Sequence, residues 1–543
     1  MLGMMQPHPL LISALISFAA RHHGDGEIIS RRVEGDIHRT TWRDVERRAK
    51  QVAQALDLWG MAPAARIGTL AWNGYRHLEL YFGVSGSQRV LHTINPRLLP
   101  EQIAWIVHNA GDQALCFDMT FWPIVRQIHA RCPDVKHWVA LCDADRLPPD
   151  SGIPNLTSYE AWIGKHKGDY DWPTFDENTA AGLCYTSGTT GNPKGALYSH
   201  RSTVLHAWAA ALPDAISLSA CDTVLPLVPM FHVNAWGLPY ACALTGANLA
   251  MPGPLLDGKS VYELIELAQV TIAAGVPTVF QMLLTYMQDN RLKFSSLRCG
   301  VVGGAAAPPT LLAAFRQDHG VDTRHAWGMT EMSPIGTVAA LKRKHLAQPE
   351  TEQAQHLATQ GRALFGVDIK IVGSNGQELP WDGVSAGDLY TKGPWVLERY
   401  FLAEDDNPLD DDGWFPTGDV ATIDPDGYMH ITDRSKDVIK SGGEWISSIQ
   451  IENIAVAHPA VAMAACIGAK HPKWDERPVV VVALRPGQEA TREELLAFYE
   501  GKMPKWQIPD DVVFVDEIPI GATGKMLKSR LREQLRDYKL PGT

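Results

Sequence analysis

The stretch Tyr185 to Gly195, Y-T-S-G-T-T-G-N-P-K-G, restricts this chain more than any other. It holds five hydroxyl side chains, three glycines and one lysine in eleven residues. Glycine lets a backbone take positive φ and approach a ligand closely, and successive N–H groups in such a loop can form an anion-binding nest. Thr186, Ser187, Thr189 and Thr190 add hydroxyl donors, Gly188 and Gly191 add freedom, and Lys194 adds a point charge suited to phosphate. The apolar run at 180–185 predicts a short buried strand feeding the loop. A Walker A loop needs glycine before its lysine and Ser or Thr after it; here Pro193 and Gly195 flank Lys194. Composition alone favours an ordinary solvated loop, so the rest of the chain has to decide.

At 543 residues the chain exceeds one hydrophobic core, and two to four domains or subdomains are expected. Apolar content of 45% and charged content of 20% fit a soluble globular protein. A net charge of −12 argues against a general nucleic-acid binder. Eight cysteines lie scattered without CxxC or Cys/His metal spacing, as buried reduced thiols of a cytoplasmic protein would. The apolar run at 9–20 lacks a basic leader and a cleavage site. Leu10, Leu11, Ala14, Leu15 and Phe18 predict one apolar face of a helix there. No run reaches the roughly 18 apolar residues of a membrane span.

In chain order, residues 28–42 predict a hairpin turning at Glu34-Gly35-Asp36, and Thr41 caps a helix reaching Leu58. Strands are expected at 65–72, from 90 and at 114–117, with helices at 78–84 and 101–110, which implies a layered α/β domain. Residues 143–178 are polar and rich in Pro, Asp and Gly, and read as a long surface excursion. His232 and Trp236, four apart after two prolines, are expected to share one helix face; composition alone would make them packing residues. The expected strand at 297–302 ends in Gly303-Gly304-Ala305-Ala306, leaving room where open α/β sheets bind ligands, although small residues also serve tight packing. The last 110 residues, 434–543, are enough for a separate α+β domain opening on a charged connector, in which a hairpin is expected.

Four further strings follow the glycine-rich loop: H-A-W-G-M-T-E at 325–331, G-W-F-P-T-G-D at 413–419, D-R-S-K-D at 433–437 and P-I-G-A-T-G-K at 519–525. Together they resemble the adenylate-forming superfamily of acyl-CoA synthetases, luciferases and peptide-synthetase adenylation domains. The Y-S-H-R, P-M-F-H-V-N-A-W-G and S-G-G-E-W-I-S strings resemble its medium- and long-chain fatty-acyl-CoA ligase group, and within it the bacterial ligases of 3-methylmercaptopropionate.

That resemblance implies a large N-terminal domain, residues 1–433, of layered α/β subdomains plus a β subdomain. A small mobile α+β domain, residues 434–543, would carry a catalytic lysine, Lys525. It implies ATP, Mg²⁺, CoA and a carboxylate as ligands, and homodimers are common in the group. Thr186 to Gly191 and Lys194 would hold phosphates, and Glu331 with Thr186 would hold Mg²⁺, for which a hard oxygen ligand is suited. Gly304, Ala305, Ala306, His325, Ala326, Trp327, Gly328 and Thr330 would surround the adenylate. Trp327 stands where the family usually has Tyr. Asp419 and Arg434 would contact ribose, and Lys436 would be the hinge pivot. His232, Trp236 and Gly303 would line the acyl pocket, with His232 near the carboxylate. Lys440, Gly442, Gly443, Glu444 and Trp445 would face CoA. A luciferase-like oxygenase, a carrier-loading domain and a non-enzymatic nucleotide sensor share parts of this pattern. CoA-dependent thioester formation separates them.

Overall fold

The computed structural model describes the chain except residues 2, 149–150, 187–192, 404–406, 442–443, 522–525, 537 and 542–543; for 444 and 445 it describes the main chain. Ser187, Gly188, Thr189, Thr190, Gly191, Gly442, Gly443 and Lys525 therefore lie outside the described residues.

Among the described residues, four sheets organise the fold. A seven-stranded sheet runs in the order Leu156–Ser158, His137–Ala140, Asp112–Phe117, Arg66–Leu70, Val90–Thr93, Ala180–Tyr185, Gly195–Ser199. All its pairings are parallel except the last, so the two strands that flank the glycine-rich loop in sequence pair antiparallel at the sheet's edge. A nine-stranded sheet has a parallel centre that includes Asp322–Gly328, Cys299–Gly303, Ile272–Gly275 and Thr223–Pro226. The predicted N-terminal hairpin, Glu27–Arg31 with Ile37–Thr41, forms its far edge by pairing with Asn248–Met251. An antiparallel four-stranded sheet holds Asp368–Val372, Gly387–Lys392, Phe415–Ile423 and Met429–Arg434. A five-stranded sheet is built from residues 439–514 alone. The mixed α/β and α+β class follows from these layers.

Local signals explain most element ends. Thr41 Oγ1 accepts from the Asp44 N–H and starts the Trp42–Leu58 helix. Thr491 and Glu494 form the reciprocal cap that the T-R-E-E string predicts. The helix at Tyr75–Gly86 is buried along all twelve residues and touches strands of both large sheets. Such all-round burial marks a core helix, yet this one carries Arg76, His77 and Glu79. Burying charge requires partners.

The partners correct one expectation. Residues 143–178 are not simply a surface excursion: they contain a strand, Leu156–Ser158, and a helix, Tyr159–Ile163. Tyr159 Oη donates to Glu79 at 2.8 Å, and Glu160 meets Arg76 at 2.9 Å and Arg48 at 3.0 Å. Elements of three and five residues are too short to show a period, so composition masked them. A second correction concerns the first helix, Ile12–His22. Its buried side is Ile12, Leu15, Ile16, Ala19 and Ala20, while Phe18 is 42% exposed. The apolar face is rotated from the expected one because the helix packs against four other helices. Seven of the eight cysteines are buried and all are free thiols.

Candidate active site

The hairpin of Ala180–Tyr185 and Gly195–Ser199 continues one step beyond its strands. Thr186 N donates to the Lys194 carbonyl at 2.8 Å, and Lys194 N donates to Thr186 Oγ1 at 3.1 Å. This cross-link fixes the base of the glycine-rich loop and leaves the Lys194 side chain exposed.

Two sequence-predicted residues converge on the carboxylate of a third, Asp419. Trp327 Nε1 donates to Asp419 Oδ2 at 2.9 Å, and Arg434 Nε lies 3.1 Å from Asp419 Oδ1. Strand pairing brings Arg434 opposite Asp419. Trp327 ends a parallel strand of the nine-stranded sheet, so this triangle joins two sheets. Each carboxylate oxygen keeps acceptor capacity beyond one bond. The indole N–H thus ties an adenine-side residue directly to the expected ribose acceptor. Gly336 packs on one face of the ring, where a Cβ would come within 2.8 Å of Trp327 Cζ3.

Gly328 is required by its surroundings. A Cβ there would lie 2.0 Å from the Pro334 carbonyl oxygen. This close approach follows a bulge between Trp327 and Gly328, after which the chain turns into Thr330–Met332. Tyr198 Oη donates to the Thr330 carbonyl at 2.6 Å, and Leu397 N donates to the Glu331 carbonyl at 2.7 Å. Glu331 is buried, and Tyr400 Oη donates to its Oε1 at 2.8 Å. The Tyr400 ring also lies under Lys194, with Nζ 4.7 Å from the ring centroid. Sequence reasoning missed Tyr400. It sits in E-R-Y-F, a string without glycine or turn signal, 69 residues from Glu331.

His325 is brought to the site but turned into protein. Its Nδ1 meets the Ala358 carbonyl at 3.0 Å, and the Ala307 N–H donates to its Nε2 at 3.4 Å. Burial lowers its pKa to about 4, so at neutral pH Nδ1 donates and Nε2 accepts. The ring braces the Gly304-Ala305-Ala306 segment, of which Ala305 is exposed.

The expected helical face of His232 and Trp236 is not formed. Val233, Asn234, Ala235 and Trp236 have φ of 46°, 53°, 49° and 57°, a left-handed turn without glycine until Gly237. Such a conformation costs roughly 1–2 kcal/mol per residue. Buried hydrogen bonds hold it: Asn73 binds the carbonyls of Pro226 and Val228 and the N–H of Met230, and Tyr81 Oη donates to Asn234 Oδ1 at 3.2 Å. The right-handed i, i+4 rule therefore does not apply, and His232 stays half-buried at the turn's entrance. Trp236 instead lies on Gly303 and Gly304. A Cβ at Gly303 would be 3.0 Å from Trp236 Cη2 and 2.8 Å from the Ala326 carbonyl oxygen.

The connector forms the expected hairpin, Ile439–Ser441 with Glu444–Ile446, pairing Lys440 with Trp445. Lys436 lies in the turn between Met429–Arg434 and this hairpin, where Ser435 N donates to the Gly418 carbonyl at 3.0 Å. Lys440 N donates to Glu476 Oε2 at 3.0 Å, and the Lys440 side chain is exposed.

Comparison with known proteins agrees along the whole chain. A profile of the AMP-binding enzymes matches residues 17–401, and a profile of the AMP-binding enzyme C-terminal domain matches residues 450–525. A 3-methylmercaptopropionyl-CoA ligase of Ruegeria lacuscaerulensis is 53% identical over 539 residues, covering 99% of each chain. A medium-chain-fatty-acid–CoA ligase of Ectopseudomonas oleovorans is 49% identical over 99% of this chain and 98% of its own. The crystal structure of an anthranilate CoA ligase in complex with anthranoyl-AMP superposes with a TM-score of 0.86 at 24% identity over 98% of both chains, a likeness of fold. With both profiles matched in order and relatives near half identity end to end, this chain belongs to the AMP-binding enzymes of the adenylate-forming superfamily, in their fatty-acyl-CoA ligase group.

Proposed function

We propose that this ATP-dependent acyl-CoA ligase takes 3-methylmercaptopropionate or a related short- or medium-chain acid. The observation that carries the substrate is the 53% identity, over the whole chain, to a 3-methylmercaptopropionyl-CoA ligase. The packing of Trp236 on Gly303 and Gly304, which narrows the space beside them, supports a short acyl chain. The 49% identity to a medium-chain ligase favours one second reading, a fatty acid without methylthio preference.

In the first half-reaction a carboxylate oxygen attacks the α-phosphorus of ATP. The bond to the β-phosphate oxygen breaks, and pyrophosphate leaves. In the second, the sulfur of CoA attacks the acyl carbon, the bond to the AMP oxygen breaks, and the thiol proton passes to solvent. The first step depends on charge neutralisation and alignment more than on acid–base chemistry.

The residues are suited to these tasks. Lys194 and the loop 186–191 would hold the β- and γ-phosphates. Trp327, Asp419 and Arg434 would hold adenine and ribose, and Gly304 to Ala306 would run along the adenylate. His232 would sit at the carboxylate. Glu331 and Thr186 offer hard oxygen donors of the kind Mg²⁺ takes when phosphates and waters complete its shell. Bound there, Mg²⁺ supplies neutralisation of phosphate charge. Lys525 would neutralise the carboxylate and α-phosphate during adenylation. A domain boundary at 433/434, with Arg434 still paired to Asp419, would let Lys436 act as the pivot. Rotation would then bring the hairpin of Lys440 and Trp445 toward CoA. No helix among the described residues is long and apolar enough to cross a membrane. The buried free thiols fit a reducing, cytoplasmic location.

The test is AMP release with CoA across 3-methylmercaptopropionate, butyrate, hexanoate, octanoate, palmitate and benzoate. A maximum at 3-methylmercaptopropionate, with short straight chains close behind, supports the proposal. A maximum at octanoate or longer replaces the substrate and keeps the chemistry.

A further inference from the structure

We propose that Tyr81 is a specificity-determining positioning residue: it holds the left-handed turn at 233–236 that lays Trp236 on Gly303 and Gly304, and so limits the length of acid that the ligase takes. The inference rests on the reading of Trp236 and Gly303 as lining the acyl pocket.

Four successive residues with positive φ, none of them glycine, have an obvious alternative, which is to relax to right-handed or extended backbone. Tyr81 stands against that change. Its hydroxyl lies between two acceptors, the Met230 carbonyl and Asn234 Oδ1 at 3.2 Å, and Asn234 is inside the turn. Cys184 Sγ also reaches Asn234 Oδ1, at 3.6 Å, but a thiol is a weak donor. Asn73 completes the hold. Its amide donates to the Pro226 and Val228 carbonyls at 2.8 and 2.9 Å and accepts from the Met230 N–H at 2.6 Å. Tyr81, Asn73 and Asn234 are all buried, where a polar group that loses its partner is costly.

Both residues come from one firmly held element. Tyr81 belongs to the helix Tyr75–Gly86, and Asn73 directly precedes its N-cap, Gly74. Glu79 of the same helix meets Arg48 at 2.7 Å, and Ser85 Oγ donates to the Ala181 carbonyl at 2.8 Å. These buried bonds fix the helix, and the helix fixes the turn. At the far end of the turn the indole lies close to two positions that lack a side chain. A Cβ at Gly303 would be 3.0 Å from Trp236 Cη2, and one at Gly304 would be 3.6 Å from Trp236 Cζ2. When the turn relaxes, Trp236 leaves the glycines and the space beside them lengthens.

The experiment compares Tyr81→Phe, Trp236→Ala, their combination, and Tyr81→Phe with Ala235→Gly against the unaltered enzyme. AMP release with CoA is measured for butyrate and octanoate, and KM for ATP is measured by pyrophosphate exchange. Tyr81→Phe keeps the ring and removes the bond. It should raise the ratio of kcat/KM for octanoate to that for butyrate by roughly tenfold. Its KM for ATP should stay within about twofold, because the lost bonds go to the acyl-side segment. Adding Ala235→Gly should return the ratio toward its original value, since glycine takes positive φ without steric cost. Trp236→Ala should raise the ratio by itself, and adding Tyr81→Phe to it should change little. Should Tyr81→Phe fail to fold, Asn234→Ala removes the bond inside the turn and carries the same expectation. If Trp236→Ala raises the ratio and Tyr81→Phe does not, the proposal is overturned while the pocket reading stands. If Trp236→Ala leaves the ratio unchanged, the pocket reading falls and the proposal with it. An equal loss with both acids in Tyr81→Phe would mark a merely structural residue and also overturn it.

Discussion

Replacing Lys528 by methionine tests how the C-terminal domain is locked in this arrangement. Lys528 opens the Lys528–Gln534 helix, three positions after Lys525. Its Nζ lies 2.6 Å from Glu452 Oε1 and donates to Ser448 Oγ at 2.6 Å. The Ser448 N–H in turn donates to Asp433 Oδ2 at 2.6 Å, and Asp433 belongs to the last strand of the four-stranded sheet. One buried cation therefore serves two buried carboxylates across the domain junction. Burial raises the pKa of Glu452 and of Asp433. Burial alone would lower that of Lys528, yet the two carboxylates hold it above its ordinary value. Breaking such a pair from one side costs about 3–5 kcal/mol, because the remaining charge is stranded. For an independently melting unit of this size the loss corresponds to about 12 °C or more in its transition. The double variant Lys528→Met with Glu452→Gln removes the nearer of the two stranded charges, leaves Asp433 its Ser448 N–H donor, and keeps an acceptor for the Cys466 N–H, now 2.7 Å from Glu452 Oε1. It should recover most of the loss. The deficit of the single variant should also shrink as pH falls, since a stranded carboxylate takes up a proton. Calorimetry at pH 5 and pH 8 measures both effects. A deficit under about 1 kcal/mol, typical of a surface pair, or a double variant no better than the single, would refute the buried-lock argument.

Other outcomes follow from the same geometry. Lys525→Ala should abolish pyrophosphate exchange, a loss of roughly 10²–10³ in rate for one contact to developing charge, and spare thioester formation from preformed acyl-adenylate. Lys436→Pro should do the reverse. Rapid-quench assays of the two half-reactions decide this, and parallel losses in either variant contradict the division of labour. Burial holds His77, His200 and His325 near a pKa of about 4 and His206 near about 3. Each value lies below that of an unfolded histidine, so the unfolded chain binds protons that the folded one refuses. Their contribution is present above pH ~6.5 and is lost as pH falls toward 4, by up to about 3 kcal/mol for each histidine. Urea midpoints should drop steadily between pH 7.5 and 5, and a flat profile there would contradict this burial.

What could be read from the chain in advance divides along a physical line. Interactions within about twenty residues leave marks in sequence: the Thr41 cap, the turn at Glu34-Gly35-Asp36, the strand feeding the glycine-rich loop. Thr186, Gly303, Trp327 and Arg434, named by motif, also arrive where strands end, whereas Asp419 lies within one. Three things left no mark. The pairing of Glu27–Arg31 with Asn248–Met251 is a choice among many apolar strands, and nothing local selects it. The left-handed turn at Val233–Trp236 violates the preference of its own residues, and its support comes from Asn73 and Tyr81, over 150 positions away. Tyr400 looks like any tyrosine until Glu331 and Lys194 stand on either side of it.

These three share a cause. In each, a residue is held against its local preference, or given a task unrelated to it, by partners distant in sequence. Backbone strain of this kind collects at functional sites because the surrounding structure over-determines the conformation there. The turn at 233–236 is the clearest case. Several kcal/mol of unfavourable φ are sustained by buried hydrogen bonds, and the result is that Trp236 lies on Gly303 and Gly304 and not on the outer side of a right-handed helix. A right-handed turn would have relieved the strain and opened the space beside the glycines. The fold retains the strained form, and the strain is therefore tied to the space beside Gly303 and Gly304, where the acyl pocket is proposed.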